Sequence, residues 1–177
     1  IRHFSITRAK LIVIPRANVP GLREGVRFLP GEPPQLRDLN RQFPKTKAPP
    51  GAKGVLAKAL WEFIGKQKPD WVIDLHEGFD FHQLNSKSVG STIIDAKGKA
   101  ADAVVPLMLA AVNVGIADPK KKLIRLRYPV DGSLARAAHE RLHATALILE
   151  TTTKSQPLSR RARQHRLMVH TLLKHLK

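Results

Sequence analysis

Residues 71–76 read Trp-Val-Ile-Asp-Leu-His, an apolar run that closes on a histidine. Such a run is typical of a strand that is buried on both faces of a sheet. Residues 144–150 have the same character, reading Ala-Thr-Ala-Leu-Ile-Leu-Glu. Two buried strands are therefore predicted, and they end on His76 and Glu150.

Further helices and strands alternate with these two segments. Apolar residues at helical spacing predict helices, and shorter apolar runs predict strands. The predicted helices are 54–68, 100–114, 133–142 and 159–176, with Pro106 kinking or restarting the second, and the other predicted strands are 11–14, 91–95 and 122–127. This alternation predicts an α/β fold with a mixed, largely parallel sheet flanked by helices. In such sheets ligands gather beyond the carboxyl ends of the strands, where His76 and Glu150 are expected to lie.

The composition limits the number of domains and the kinds of partner. A chain of 177 residues that is 42% apolar suits a single domain, residues 1–177, and the absence of cysteine leaves His, Asp and Glu as metal ligands. The net charge of +17 comes from basic residues scattered along the chain without interleaved aromatics, so we do not expect nucleic acid as a partner. No apolar stretch reaches the ~20 residues that cross a bilayer, so we expect a soluble protein with no membrane partner. Compartment and oligomeric state stay open.

A long proline-rich segment, residues 16–51, separates the first predicted strand from the first helix. Residues 37–44 within it read Arg-Asp-Leu-Asn-Arg-Gln-Phe-Pro. Long ordered loops are often functional, and a guanidinium held in one can bind a carboxylate through two parallel hydrogen bonds. The alternative interpretation of Arg41 is a solvated loop arginine.

The order of these segments resembles the zinc metallocarboxypeptidase superfamily, and its succinylglutamate desuccinylase/aspartoacylase-like branch in particular. The resemblance rests on Asp-Leu-Asn-Arg-x-Phe-Pro, then a helix, then Ile-Asp-Leu-His, then a strand that ends in Glu, and it runs from about Lys10 to the C-terminus. It implies a Zn²⁺-dependent hydrolase that cleaves an amide bond adjacent to a free carboxylate. Small carboxylate-bearing substrates and peptide C-termini are the implied partners.

The resemblance also implies roles for individual residues. His76 matches a zinc ligand, Glu150 the glutamate that activates water, and Asn40 with Arg41 the pair that binds the substrate carboxylate. Arg27 resembles the arginine that polarises the scissile carbonyl, although Arg23 and Arg37 compete for that place. Tyr128 is similar in position to a mobile tyrosine that contacts substrate. Asp74 is expected on the same strand face as His76, where it could order the site.

The sequence departs from the family at one point and contains a competing motif. The family's first two zinc ligands come from a His-x-x-Glu motif before the strand that here begins near Lys10, and none precedes it. Because a catalytic zinc needs about three protein ligands, we expect the other two upstream of Ile1 in a domain incomplete at its N-terminus, unless the metal has been lost. Residues 139–143 read His-Glu-Arg-Leu-His, a metalloprotease pattern that lacks a downstream third ligand.

Three functions remain compatible with the sequence. A deacylase acting on N-acyl amino acids leads, and a carboxypeptidase acting on peptide C-termini is the second. The third is a non-catalytic protein that binds a carboxylate or an anionic polymer through its basic residues.

Overall fold

The computed structural model describes residues 9–176, which form a mixed sheet between two layers of helices. The strands are β1 (Trp71–Gly78), β2 (Thr92–Asp95), β3 (Ile124–Arg127) and β4 (Thr145–Thr152), in the order β1-β4-β2-β3. β1 pairs with β4 and β2 with β3 in parallel, whereas β2 and β4 are antiparallel. The predicted α/β class and mixed, largely parallel sheet are confirmed.

Within residues 9–176 five helices accompany the sheet: α1 (Val19–Glu24), α2 (Val55–Gln67), α3 (Lys99–Asn113), α4 (Leu134–Leu142) and α5 (Leu158–His175). Short 3₁₀ turns occupy Leu39–Arg41 and Pro119–Lys121. The four predicted helices correspond to α2 to α5, and Pro106 lies inside α3 without ending it. No helix of the described residues is long and apolar enough to cross a bilayer.

The two faces of the sheet are covered by different helices. On one face, α3 and α5 bury a large apolar cluster that includes Ile93, Met108, Leu147 and Met168. On the other face, α4 packs against β1 and β4 through small residues, among them Ala135, Ala138 and Ala146. This second face carries the polar ends of β1 and β4 and therefore positions the candidate site.

The prediction of a buried strand at residues 11–14 is wrong. These residues form no strand, and the side chains of Leu11, Ile12, Val13 and Ile14 are 38–55% exposed. A strand needs a neighbour to satisfy its backbone hydrogen bonds, and β1 pairs only with β4 within the described residues. The apolar run at residues 11–14 therefore predicted a strand for which the described residues provide no partner strand. The proline-rich segment contains a short helix that was not predicted, α1, which is capped by the side chain of Asn18.

Candidate active site

The carboxyl ends of β1 and β4 bring His76 and Glu150 together. The parallel register pairs His76 directly with Glu150 and Asp74 with Ile148. Since alternate residues of a strand share a face, Asp74, His76 and Glu150 all point to the face that α4 covers. This arrangement arises because β1 and β4 are parallel neighbours whose register places His76 beside Glu150. These residues form the centre of the site.

The Leu39–Arg41 turn closes over this pair of strands. The Asp38 side chain caps the turn by accepting a hydrogen bond from Asn40 N, at 3.2 Å. The Asn40 side chain then joins two parts of the fold, because its Oδ1 accepts from Leu134 N at 2.8 Å and its Nδ2 donates to Asp74 Oδ2 at 3.3 Å. The amide of Asn40 is therefore oriented by the first residue of α4 and lies against β1.

The ring of His76 is oriented by the same groups. Its Nε2 lies 2.9 Å from Asp74 Oδ2 and 3.0 Å from Asn40 Nδ2. A carboxylate only accepts hydrogen bonds, so we assign the ring proton to Nε2, which leaves the lone pair of Nδ1 for a metal in the neutral ring. Asn40 Nδ2 is also a donor, so with this tautomer it donates to Asp74 and only contacts the ring. Burial lowers the pKa of His76, but the hydrogen bond and charge of Asp74 outweigh burial, and the net pKa is raised. This contact is the one through which Asp74 could order the site, as the sequence predicts.

Glu150 is buried next to this histidine without a full set of partners. Glu150 is 6% exposed, and its Oε2 atom has no hydrogen-bond partner among the described residues. Burial raises the pKa of Glu150 to about 7; the charge of His76 opposes this rise, that of Asp74 adds to it, and those of Arg27 and Arg41 oppose it. A buried carboxyl group with a pKa near neutrality is suited to accept and return protons.

Two arginines act on the site through their charge. Arg27 pairs with Asp38 at 3.1 Å, and its charge lowers the pKa of both His76 and Glu150. Arg41 donates through Nη1 to its neighbour's carbonyl, Asn40 O, at 2.7 Å. The competing Arg37 stacks on the ring of Phe28, with its guanidinium carbon 4.4 Å from the ring centre.

The third arginine candidate and the tyrosine lie in other surroundings. Arg23 is in the last turn of α1. Tyr128 follows β3, which β2 separates from β4, and its half-exposed ring lies 5.6 Å from the guanidinium carbon of Arg136. Its role as a substrate contact stays a prediction.

The competing motif at residues 139–143 does not form a metal site. α4 ends at Leu142, and His143 caps it in the left-handed conformation, so the two histidines do not share a helical face. Glu140 is already engaged by Arg136 and by the hydroxyl of Thr46. The carboxylate that the motif needs for catalysis is therefore part of a surface network.

The donor atoms near His76 suit a zinc ion only in part. Nδ1 of His76 is the kind of ligand that zinc prefers, and the free oxygen of Glu150 beside it is the kind of base that zinc hydrolases use. Within residues 9–176, however, no three His, Asp or Glu side chains group together to hold a metal. The described residues thus offer one candidate ligand, His76, where a catalytic zinc needs about three.

Sequence reasoning missed the role of Asp38. Its side chain caps the turn that carries Asn40 and holds the guanidinium of Arg27. The signal was present in the Asp-Leu-Asn order, because an Asp side chain commonly accepts a hydrogen bond from the backbone two residues on.

Comparison with known proteins identifies the family. The model of the succinylglutamate desuccinylase/aspartoacylase catalytic domain matches residues 2–176. The chain belongs to this family. None of the curated proteins matches it.

Three similar solved structures share the fold. A variant of the cell shape determinant protein Csd4 from Helicobacter pylori superposes with a TM-score of 0.72 at 21% identity, over 92% of this chain and 42% of that one. The mDAP-bound form of H. pylori Csd4, a D,L-carboxypeptidase, gives 0.66 at 19% over the same shares. Succinylglutamate desuccinylase from Chromobacterium violaceum gives 0.56 at 16%, over 91% of this chain and 50% of that one. The chain spans about half or less of the length of these structures.

Proposed function

We propose that this domain is part of a zinc-dependent hydrolase that cleaves an amide bond adjacent to a free carboxylate, with N-acyl amino acids as its substrates. The observation that carries the proposal is Glu150, which is buried opposite His76 with one free carboxyl oxygen and a pKa of about 7. Family membership supports the same reaction class. His76 would bind the metal through Nδ1, with two further ligands from residues upstream of Ile1.

Zinc, when bound, supplies Lewis acidity that polarises a carbonyl and makes water more acidic. Glu150 would accept the proton of the attacking water and then return it to the leaving amine. Because burial raises the pKa of Glu150 to about 7, close to neutral pH, the same group can accept a proton and then return it. The low polarity that raises the pKa also strengthens Glu150 as a proton acceptor.

The arginines would divide the substrate's negative charges between them. Arg27 would leave Asp38 and stabilise the charge that develops on the carbonyl oxygen, because its field already reaches both His76 and Glu150. Arg41 would bind the free carboxylate, since its guanidinium donates only one hydrogen bond, to a neighbouring carbonyl, and its other N–H groups can reach the substrate. Asn40 would contribute at most weakly to that carboxylate while its amide holds Asp74 and contacts His76.

A carboxypeptidase acting on peptide C-termini is the second candidate function. Similar structures of H. pylori Csd4 include tripeptide-bound and mDAP-bound forms, and the protein is described as a D,L-carboxypeptidase. Both reactions place a free carboxylate near the bond that is cleaved, so Arg41 would serve either. The two differ in the size of the group on the other side of that bond.

The test uses protein produced from the full gene. We expect about one zinc per chain, and we expect a His-x-x-Glu motif within a few dozen residues upstream of Ile1, because His76 alone cannot hold a catalytic zinc. N-acyl amino acids and peptides with free C-termini, assayed in parallel, would separate the two candidate reactions. Full-length protein that binds no zinc and hydrolyses neither set would instead indicate a carboxylate-binding protein without catalytic activity.

A further inference from the structure

A second polar cluster lies on the other face of the sheet, one residue beyond His76 and Glu150. The register that pairs those two residues also pairs Glu77 with Thr151. Because alternate residues point to opposite faces, Glu77 and Thr151 face α5 while their neighbours face the candidate site. Whatever fixes Glu77 and Thr151 therefore also fixes the backbone that carries His76 and Glu150.

Side chains from the first half of α5 hold this pair. Nη1 of Arg161 donates to both carboxylate oxygens of Glu77. The hydroxyl of Thr151 donates to Glu77 Oε1 at 3.2 Å and lies 3.1 Å from Nε2 of His165. Thr151 is fully buried, and the Arg161 side chain is 17% exposed. β1 and β4 are thus joined through side chains at the level of the site, in addition to their backbone ladder.

The ends of both strands are also held by other contacts. Gln164 donates to Gln156 Oε1 at 3.2 Å, and Gln156 donates to the carbonyl of Thr152, the last residue of β4, at 3.1 Å. At the end of β1, Gly78 lies so close to Gly90 that an added Cβ would come within 2.3 Å of Gly90 N. The two strands are therefore fixed on both sides just after His76 and Glu150.

Apolar side chains also attach α5 to the sheet. Further along the helix, Met168 and Leu172 are buried in the apolar cluster and hold α5 on the sheet. The polar contacts carry a desolvation cost on the α5 side, because Nε of Arg161 and Oε1 of Gln164 are buried without partners among the described residues, whereas the Glu77 side chain is 36% exposed. Hydrogen bonds and ion pairs are directional, so beside these apolar contacts the polar groups fix the geometry of the strand ends.

We propose that Arg161, Glu77 and Thr151 form a positioning network that holds His76 and Glu150 in register for zinc binding and proton transfer. Arg161 is a positioning residue that acts through Glu77, and it lies on the face opposite the substrate. The proposal rests on the proposed function. Supporting groups around a metal ligand commonly change metal affinity or activity by about 10–100-fold, and the extra step through the strand places Arg161 near the lower end.

The experiment compares Arg161→Met with Arg161→Lys in the full-length zinc-loaded enzyme. We expect Arg161→Met to raise the zinc dissociation constant and to lower kcat by about tenfold each, with KM changed less than about twofold. Arg161→Lys should recover most of both losses, because a single nitrogen makes both contacts to Glu77. Arg163→Met is the matched control, since Arg163 is an exposed arginine on the same helix.

The proposal would be overturned if Arg161→Met lowered the Tm but had the same zinc dissociation constant and the same kcat as Arg163→Met. That result would show that Arg161 only attaches the helix. If Arg161→Met does not fold, Thr151→Val removes the bridging hydroxyl and keeps the shape of the side chain. The same two losses would support the network, and unchanged values would reject it. Wild-type protein without zinc and without activity would reject the proposed function itself, before any variant is compared.

Discussion

Asp95 and Glu150 are both buried carboxylates on neighbouring strands, but they differ in what surrounds them. Asp95, at the end of β2, is fully buried and accepts hydrogen bonds from the guanidinium groups of Arg125 and Arg127 and from Lys97 N. Glu150 is 6% exposed and has one carboxyl oxygen without a partner among the described residues. One carboxylate is compensated by the protein, whereas the other is left available.

The difference follows from position along the sheet. β2 is antiparallel to β4, and Asp95 pairs with Leu147, three residues before Glu150. Asp95 therefore lies toward the edge where β4 begins, away from the carboxyl ends of β1 and β4, and the basic residues of the edge strand β3 reach it. A buried carboxylate with two guanidinium partners contributes to a fixed structure, and one that lacks them keeps the capacity for proton transfer.

The largest expected effect is on turnover. Glu150→Gln preserves size and hydrogen bonding but removes the proton acceptor, so kcat of the zinc-loaded full-length enzyme should fall about 10²–10⁴-fold. Zinc content and the circular dichroism spectrum should stay unchanged. An equal loss of zinc would make Glu150 a metal ligand, and near-normal turnover would place Glu150 with Asp95 among the structural carboxylates.

The converse substitution addresses the paired carboxylate. Asp95→Asn leaves two guanidinium groups without their buried counter-charge, so the free energy of unfolding should fall by about 3 kcal/mol, the lower part of the range for broken buried pairs, because Arg127 is partly exposed. Urea denaturation measures this loss, and kcat per folded molecule should not change.

Asp102 provides the control for that substitution. It contacts the same two arginines but is exposed, so Asp102→Asn should destabilise the protein much less than Asp95→Asn. Equal losses from the two variants would mean that burial of Asp95 does not decide its contribution.

The fold could be predicted from the sequence where one segment carried its own signal. The strands at residues 71–76 and 144–150 were predicted from their apolar runs, and α2 and α5 from apolar residues at helical spacing. Burial on both faces holds for β4 only, because β1 is an edge strand among the described residues and its Leu75 is 52% exposed. The strand at residues 11–14 failed because apolar character indicates burial but does not supply a partner for the backbone. Pairing is a property of two segments, so a single run cannot reveal it.

The candidate site was likewise predicted only where single segments carried a motif. The family resemblance indicated His76, Asn40 and Glu150, and the structure brings these three residues together. The arginines around Asp95 and the cluster at Glu77 were missed, since each joins residues more than 29 positions apart with no motif. Such networks depend on the three-dimensional register of the strands.

The last expected effect concerns stability and pH, and it tests the availability of Glu150 without any assay of activity. Because burial raises the pKa of Glu150 from its ordinary value near 4.5 to about 7, the folded state holds this proton over a range in which the unfolded chain has lost it. The stability that this group contributes is complete below its pKa in the unfolded chain and is lost as the pH rises through its pKa in the folded protein.

From pH 5 to pH 7 the free energy of unfolding of the metal-free wild-type protein should fall by about 2 kcal/mol more than that of Glu150→Gln, since one pKa unit is worth about 1.4 kcal/mol. Urea denaturation of both proteins at the two pH values measures the difference, which includes the part of the His76 titration that depends on the charge of Glu150. Parallel curves would show that Glu150 titrates alike in the folded and unfolded states, and the contrast with Asp95 would then rest on hydrogen bonding alone.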